Sequence, residues 1–294
     1  MMKLNNTLRC CVIAAGTLAA SMAVAGAASA QSRVQVENAV ARVVVIVEDR
    51  SNVAVEIVRG SADLPELSVR RRGDVIEVDG GVRRIRNCRS DRRVVDPSAP
   101  GTGARVTTSR GTIAVEDAPM IVVRSPRDVH VSAGSGVYGA VGRGSRSVTV
   151  SSAGCGDWAV ASTEGALNIR TAGSGGVLAG TSGELDVAAS GSGDVRTGAT
   201  GSARVRIAGS GDIEIARIDG PANVAIAGSG DVLIRGGRAP NVTVSIAGSG
   251  DVAFEGEAGD VTASIAGSGD VRVARATGNI SRRIAGSGNI RVNE

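Results

Sequence analysis

A Gly-x-Gly corner recurs at Gly134, Gly154, Gly173, Gly191, Gly209, Gly228, Gly248, Gly267 and Gly286, with steps of 18 to 20 residues throughout. No other property of the chain limits its fold so strongly. A period in this range marks a repeat architecture, in which each unit buries its apolar face only against the next.

The phase inside one unit can be followed residue by residue. From Val205 to Ile215 the odd positions are Val, Ile, Gly, Gly, Ile and Ile, and the even ones are Arg206, Ala208, Ser210, Asp212 and Glu214. Alternation of period two places the first set on one face and the second on the other. The register returns at Val224, Ile226, Val232 and Ile234, then at Val242, Val244, Ile246, Val252 and Phe254, then at Val261, Ala263, Ile265, Val271 and Val273. Each unit thus reads as two strands on either side of the corner, with a looser turn such as Asp219-Gly220-Pro221 leading onward. The reading is an all-β solenoid of parallel strands with coils of about 19 residues, regular over 131–294 and irregular before it. The paired glycines Gly191 and Gly193, Gly209 and Gly211, Gly228 and Gly230, Gly248 and Gly250, and Gly267 and Gly269 are its structural corners. They serve either through positive φ or through close approach of neighbouring backbones. Aromatic residues are limited to Tyr138, Trp158 and Phe254, so the core is built from Val, Ile and Ala and suits a narrow rod.

Residues 1–30 read as a signal peptide. Lys3 and Arg9 precede the Ala-rich apolar run Val12 to Ala27, and Ala28-Ser29-Ala30 is an A-x-A cleavage site before Gln31. A retained anchor and a lipoprotein signal are the alternatives. The run is short and Ala-rich for a span, and Cys10 and Cys11 lie ahead of it, not at its end. The mature chain is expected in the periplasm or at the cell surface, or secreted, without a membrane span. Taking Lys3 and Arg9 from the 33 basic residues leaves 31 against 29 acidic ones, which gives no field for nucleic acid.

Residues 31–130 are β-rich without the strict repeat, with short β-branched runs such as Val43–Val47 and Met120–Val123. They read as irregular early coils or a β-rich cap. Residues 81–104 read as an Arg-rich loop carrying Arg83, Arg84, Arg86, Arg89, Arg92 and Arg93, followed by Pro97, Pro100, Gly101 and Gly103. Such a cluster either meets an anionic surface, such as lipid headgroups or lipopolysaccharide, or is a solvated loop. Beyond the leader two cysteines remain, Cys88 and Cys155. In an oxidising compartment they form a candidate disulfide, contributing about 4 kcal/mol in the chain-entropy model; the alternative is two unpaired small apolar residues.

Catalytic material is sparse. His130 is the single histidine, so triads and His-ligated metal sites lack residues, and no pair of carboxylates is distinguished for polysaccharide hydrolysis. The repeated polar feature is the acid after the corner: Asp157, Asp194, Asp212, Asp231, Asp251 and Asp270, with Asn289 in the last unit and Gly176 and Val137 as exceptions. Stacked ~4.8 Å apart, these carboxylates need compensation. Asx-type turns supply backbone N–H groups. Calcium bridging along Asp194, Asp212, Asp231, Asp251 and Asp270 is the second option. No cofactor is expected.

The tandem Ala-Gly-Ser-Gly-Asp-Val units with Gly-Asn-Val or Gly-Asp-Val turns, behind a signal peptide, resemble the bacterial auto-transporter adhesin head GIN domain family. The resemblance covers roughly 120–294. It implies a right-handed parallel β-helix and a role in adhesion or at the cell envelope, and it carries over no catalytic residue. The resulting expectation is an exported, non-enzymatic, adhesin-like module with an envelope or surface ligand. A polysaccharide-active β-helix enzyme and a self-associating envelope scaffold are the alternatives.

Overall fold

A computed structural model describes residues 32–90 and 98–293. The expected leader, its cleavage before Gln31, and Arg92 and Arg93 lie outside the described residues. The fold is a parallel β-solenoid of about nine turns. Among the described residues, no helix is long and apolar enough to cross a membrane.

In the regular part, Ala203–Gly209 lies between Glu184–Gly191 and Ala222–Gly228, all parallel and in register, with Val187, Val205 and Val224 aligned. Ile213–Asp219 stacks in the same way on Val195–Thr200 and Val232–Ile234. Every inward residue assigned from the alternation is buried, from Val205 and Ile207 through Phe254 to Val273. Each such side chain contributes ~1.5–3 kcal/mol by leaving water. The pairing extends past the alternating residues: Thr200 meets Ile218, which in turn meets Gly237. Ile218 is fully buried there and lies at the end of the strand Ile213–Asp219, so the unit keeps its two expected strands, the second running further than the alternation shows.

The N-terminal strands join the same rod out of sequence order. Strands β1 (Arg33–Glu37) and β2 (Val40–Val47) form one coil; β3 (Ala54–Val58), β4 (Ser68–Arg72) and β5 (Val75–Asp79) follow. An excursion holds β6 (Ile85–Ser90), β7 (Ala104–Thr108) and β8 (Gly111–Ala114), and the chain re-enters the rod as β9 (Met120–Ser125) and β10 (Asp128–Val141). β1 pairs in parallel with β5 on one side and β10 on the other; β2 does so with β9 and β10. The β5/β9 coil is then covered by antiparallel strands, β4 on β5 and β3 on β9. All five residues of β4 are exposed, including Arg70, Arg71 and Arg72. A charged antiparallel strand of this kind blunts a sheet edge.

The stretch 81–104, expected to be loop, contains β6, which pairs antiparallel with β7, as β7 does with β8. The register shifts between Ile85 and Asn87. This bulge at Arg86 places Ile85 and Cys88 on the inner face although they are three residues apart, and so hides the strand from a period-two reading. Ile85, Cys88, Val106 and Ile113 pack with Tyr138, Val40 and Val115 in a second small core beside the rod.

Candidate functional site

The corner is held by one carbonyl that serves two donors. Gly191 O accepts the N–H of Ser210 at 2.9 Å and that of Gly211 at 3.1 Å. Drawing the coils together this way leaves no room for side chains. A Cβ on Gly209 would stand 2.2 Å from Gly191 O, and one on Gly211 2.4 Å from Gly193 O. Gly209 also has φ +157°, whereas Gly211 does not lie in the positive-φ region. The two reasons for glycine are therefore divided between the two positions: both have the close approach, and the first alone adds unusual φ. Gly228 with Gly230, Gly248 with Gly250, and Gly267 with Gly269 repeat the crowding, as do Gly191 and Gly193.

The acids after the corner form a ladder between coils. Asp194 Oδ1 accepts the N–H of Asp212 at 3.2 Å, Asp212 that of Asp231 at 3.0 Å, and Asp231 that of Asp251 at 2.8 Å. Asp251 accepts from Asp270 at 2.7 Å, and Asp270 from Asn289 at 2.8 Å. The expected Asx turn within a coil is thus corrected to a bond reaching the next coil, because stacking in register presents that N–H directly to the carboxylate. Among the described residues, no group of three or more His, Cys, Asp or Glu stands close enough to hold a metal.

Asp157 opens the ladder and differs from the rest. It accepts the N–H of Gly176 at 2.8 Å, and burial pushes its carboxyl above the usual range, against the opposing pull of the Gly176 N–H and the Ser90 hydroxyl. Ser90 belongs to β6, so the excursion lies against this corner. Cys88 and Cys155 are joined there as a disulfide, with Cα atoms 6.0 Å apart. Close by, the Tyr138 hydroxyl is buried without a hydrogen-bond partner, and burial pushes it up to about 12, with the Asp157 charge adding to the shift. Neither Tyr138 nor the Ser90 contact was legible as part of one assembly; the one signal was the isolated cysteine pair. His130 is half-buried on β10, and burial, reinforced by the Arg33 charge and opposed by Asp128, lowers its pKa.

Among the described residues, two outward surfaces combine several exposed polar or charged side chains. The first is a shallow groove running along the rod, lined by Asn168, Asp186, Arg204, Asn223, Asn241 and Thr243. Register places Asn168, Asp186, Arg204, Asn223 and Thr243 side by side on successive coils. Asp186 is engaged by Arg206 at 2.7 Å. The amides, hydroxyl and guanidinium of this row offer donors and acceptors at a repeat of ~4.8 Å. The second is the outer face of the excursion, where Arg83, Arg84, Arg86, Arg89 and Arg105 are exposed.

No curated protein matches the chain. The C-terminal coils, residues 219–294, match the profile of the family described as "Putative auto-transporter adhesin, head GIN domain", the family that the repeated corner units resemble.

Proposed function

We propose that the protein is an exported, non-catalytic solenoid that presents its polar outer faces as an adhesin-like or structural module of the cell envelope. The family match over residues 219–294 and the β-solenoid fold support an adhesin-like module. The observation that carries the finer reading is the groove: five coils align Asn168, Asp186, Arg204, Asn223 and Thr243 in one row. A row at coil spacing suits an extended polymer lying along the rod, recognised by hydrogen bonds. The large aromatic side chains that stack on sugars in hydrolase clefts are here spent on packing, since Tyr138, Trp158 and Phe254 are all buried.

The test is to fractionate the source cell, sequence the N-terminus of the protein found, and compare attachment of cells carrying the parent with cells carrying Arg204→Ala together with Asn223→Ala. Recovery outside the cytoplasm with Gln31 first, and weaker attachment of the double variant, is the expected result. A cytoplasmic chain beginning at Met1 would overturn the export reading. Release of reducing ends from envelope polysaccharide by the purified protein would overturn the non-catalytic one.

A further inference from the structure

The outer face of the excursion gathers five exposed arginines, Arg83, Arg84, Arg86, Arg89 and Arg105. Some arginines on the coils meet carboxylates: Arg235 with Glu214 at 2.6 Å, Arg206 with Asp186 at 2.7 Å, Arg217 with Asp219 at 2.7 Å; Arg272 and Arg291 face each other in register instead. On the three-stranded sheet, Arg89 of β6 lies directly opposite Arg105 of β7 in the antiparallel register. Like charges in that position oppose pairing. Among the described residues, none of Arg83, Arg84, Arg86, Arg89 and Arg105 has a carboxylate within ion-pair distance, and all five are exposed. The bulge at Arg86 sustains this arrangement, because it keeps Ile85 and Cys88 inward while Arg86, Asn87 and Arg89 face solvent.

We propose that this face is a docking surface for an anionic phospholipid bilayer. Guanidinium groups match phosphate oxygens with paired N–H donors. Five separate arginines spread over the β6–β7 face and the segment before it fit a plane of many headgroups better than one converging phosphate. The mode is peripheral. No Phe, Trp or Tyr is available for insertion, since all three are buried, and the absence of exposed aromatics equally disfavours single-stranded nucleic acid, whose bases need stacking platforms. The disulfide between Cys88 on β6 and Cys155 on the rod fixes the face to the solenoid, so a docked sheet holds the rod at a set attitude to the membrane. The inference depends on export only for where such a lipid surface would be met.

The experiment is co-sedimentation of the full chain with vesicles of phosphatidylcholine alone and with vesicles containing phosphatidylglycerol. Residues 1–30, with Lys3 and Arg9 ahead of the apolar stretch 12–27, are common to every variant, so the reading is the change in the preference for the anionic vesicles between parent and variant. The expected result is a preference for phosphatidylglycerol that disappears near ~1 M salt, where the Debye length falls to about 3 Å. Each arginine at such a surface contributes about fivefold in affinity, so Arg89→Gln with Arg105→Gln should weaken the preference by roughly 25-fold. Arg170→Gln on the rod, exposed and outside both surfaces, should leave it unchanged, and unaltered thermal unfolding of both variants shows that folding is intact. Equal binding to both vesicle types, or an unchanged preference in the Arg89 and Arg105 double variant, would overturn the proposal. Equally tight binding of soluble polyphosphate or duplex DNA would replace the bilayer by a general polyanion. Finding the protein in the cytoplasm would sink the export reading and leave the vesicle result standing.

Discussion

Asp212 Oδ1 accepts the backbone N–H of Asp231 at 3.0 Å, one full coil further along the rod. The contact needs an acceptor at that position and not a charge. Asp212→Asn is therefore expected to be neutral or mildly stabilising, since it keeps the oxygen and removes repulsion from Asp194 and Asp231, while Asp212→Ala should cost about 1 kcal/mol. Urea unfolding of the three proteins checks the order. A clear loss in the Asn variant, together with a melting temperature that rises with calcium in the parent, would restore the metal-bridging alternative.

Gly211→Val should be far more damaging than Ser210→Ala. The added Cβ would stand 2.4 Å from Gly193 O, so two coils must separate and the shared carbonyl bond is lost. The expected cost exceeds about 3 kcal/mol, against less than about 0.5 kcal/mol for the exposed serine. Limited proteolysis should open residues 191–235 first, because coils depend on their nearest neighbours. Cutting that begins at the N-terminal strands would contradict this.

Replacing Cys88 and Cys155 together by serine removes a crosslink spanning 67 residues, with an upper cost of about 4 kcal/mol in the chain-entropy model. The loss should be local. Amide exchange should quicken in Ile85–Ser90 and Ala104–Thr108 while Ala203–Gly209 stays protected. Uniform acceleration would show that the excursion supports the whole rod.

For Asp157 the sign follows from burial. Its folded pKa lies above the unfolded value of 3.8, so the folded protein holds this proton more tightly than the unfolded chain does. The ionised carboxylate opposes folding above that window, and the opposition fades as pH falls toward 3.8. Asp157→Asn should raise the melting temperature at pH 7 and have little effect near about pH 3.5. The same gain at both pH values would show that charge is not the cause.

The last long strand, Ile280–Gly286, pairs on one side with Val252–Gly267, one coil earlier. Its Arg282 occupies the register of Ala263 and is exposed, and Ile284 beside it is 47% exposed. Arg282→Val should promote association through this edge, seen as a rise in mass by light scattering. An unchanged mass would remove Arg282 from that role.

What could be read from the sequence divides along physical lines. The coils were legible because Val205, Ile207, Ile213 and Ile215 repeat a pattern with the same phase in each unit. Ile218 was not assigned, because its segment pairs over two residues and no alternation can be seen in so short a run. β6 was hidden by its bulge and its arginines. The N-terminal coil was legible as strands but not as a place in the stack, since nothing local tells Val34 that it will lie between Ile76 and Val131. The acids were found, but their partners were not, because the N–H that each accepts belongs to a residue a whole coil away.

The insertion of β1 and β2 between β5/β9 and β10 sets an order of events during synthesis. Of the rod's strands the ribosome releases those of Arg33–Val47 first, yet that coil has neighbours on both sides only once Val141 has emerged. Until then Val34, Val36, Val43 and Val45, all buried in the finished rod, lack half of their packing. Later coils face no such delay, since each lays itself on an edge already formed. The rod therefore matures from a late-closing foundation outward, and a chain halted before residue 141 is the form most exposed to aggregation.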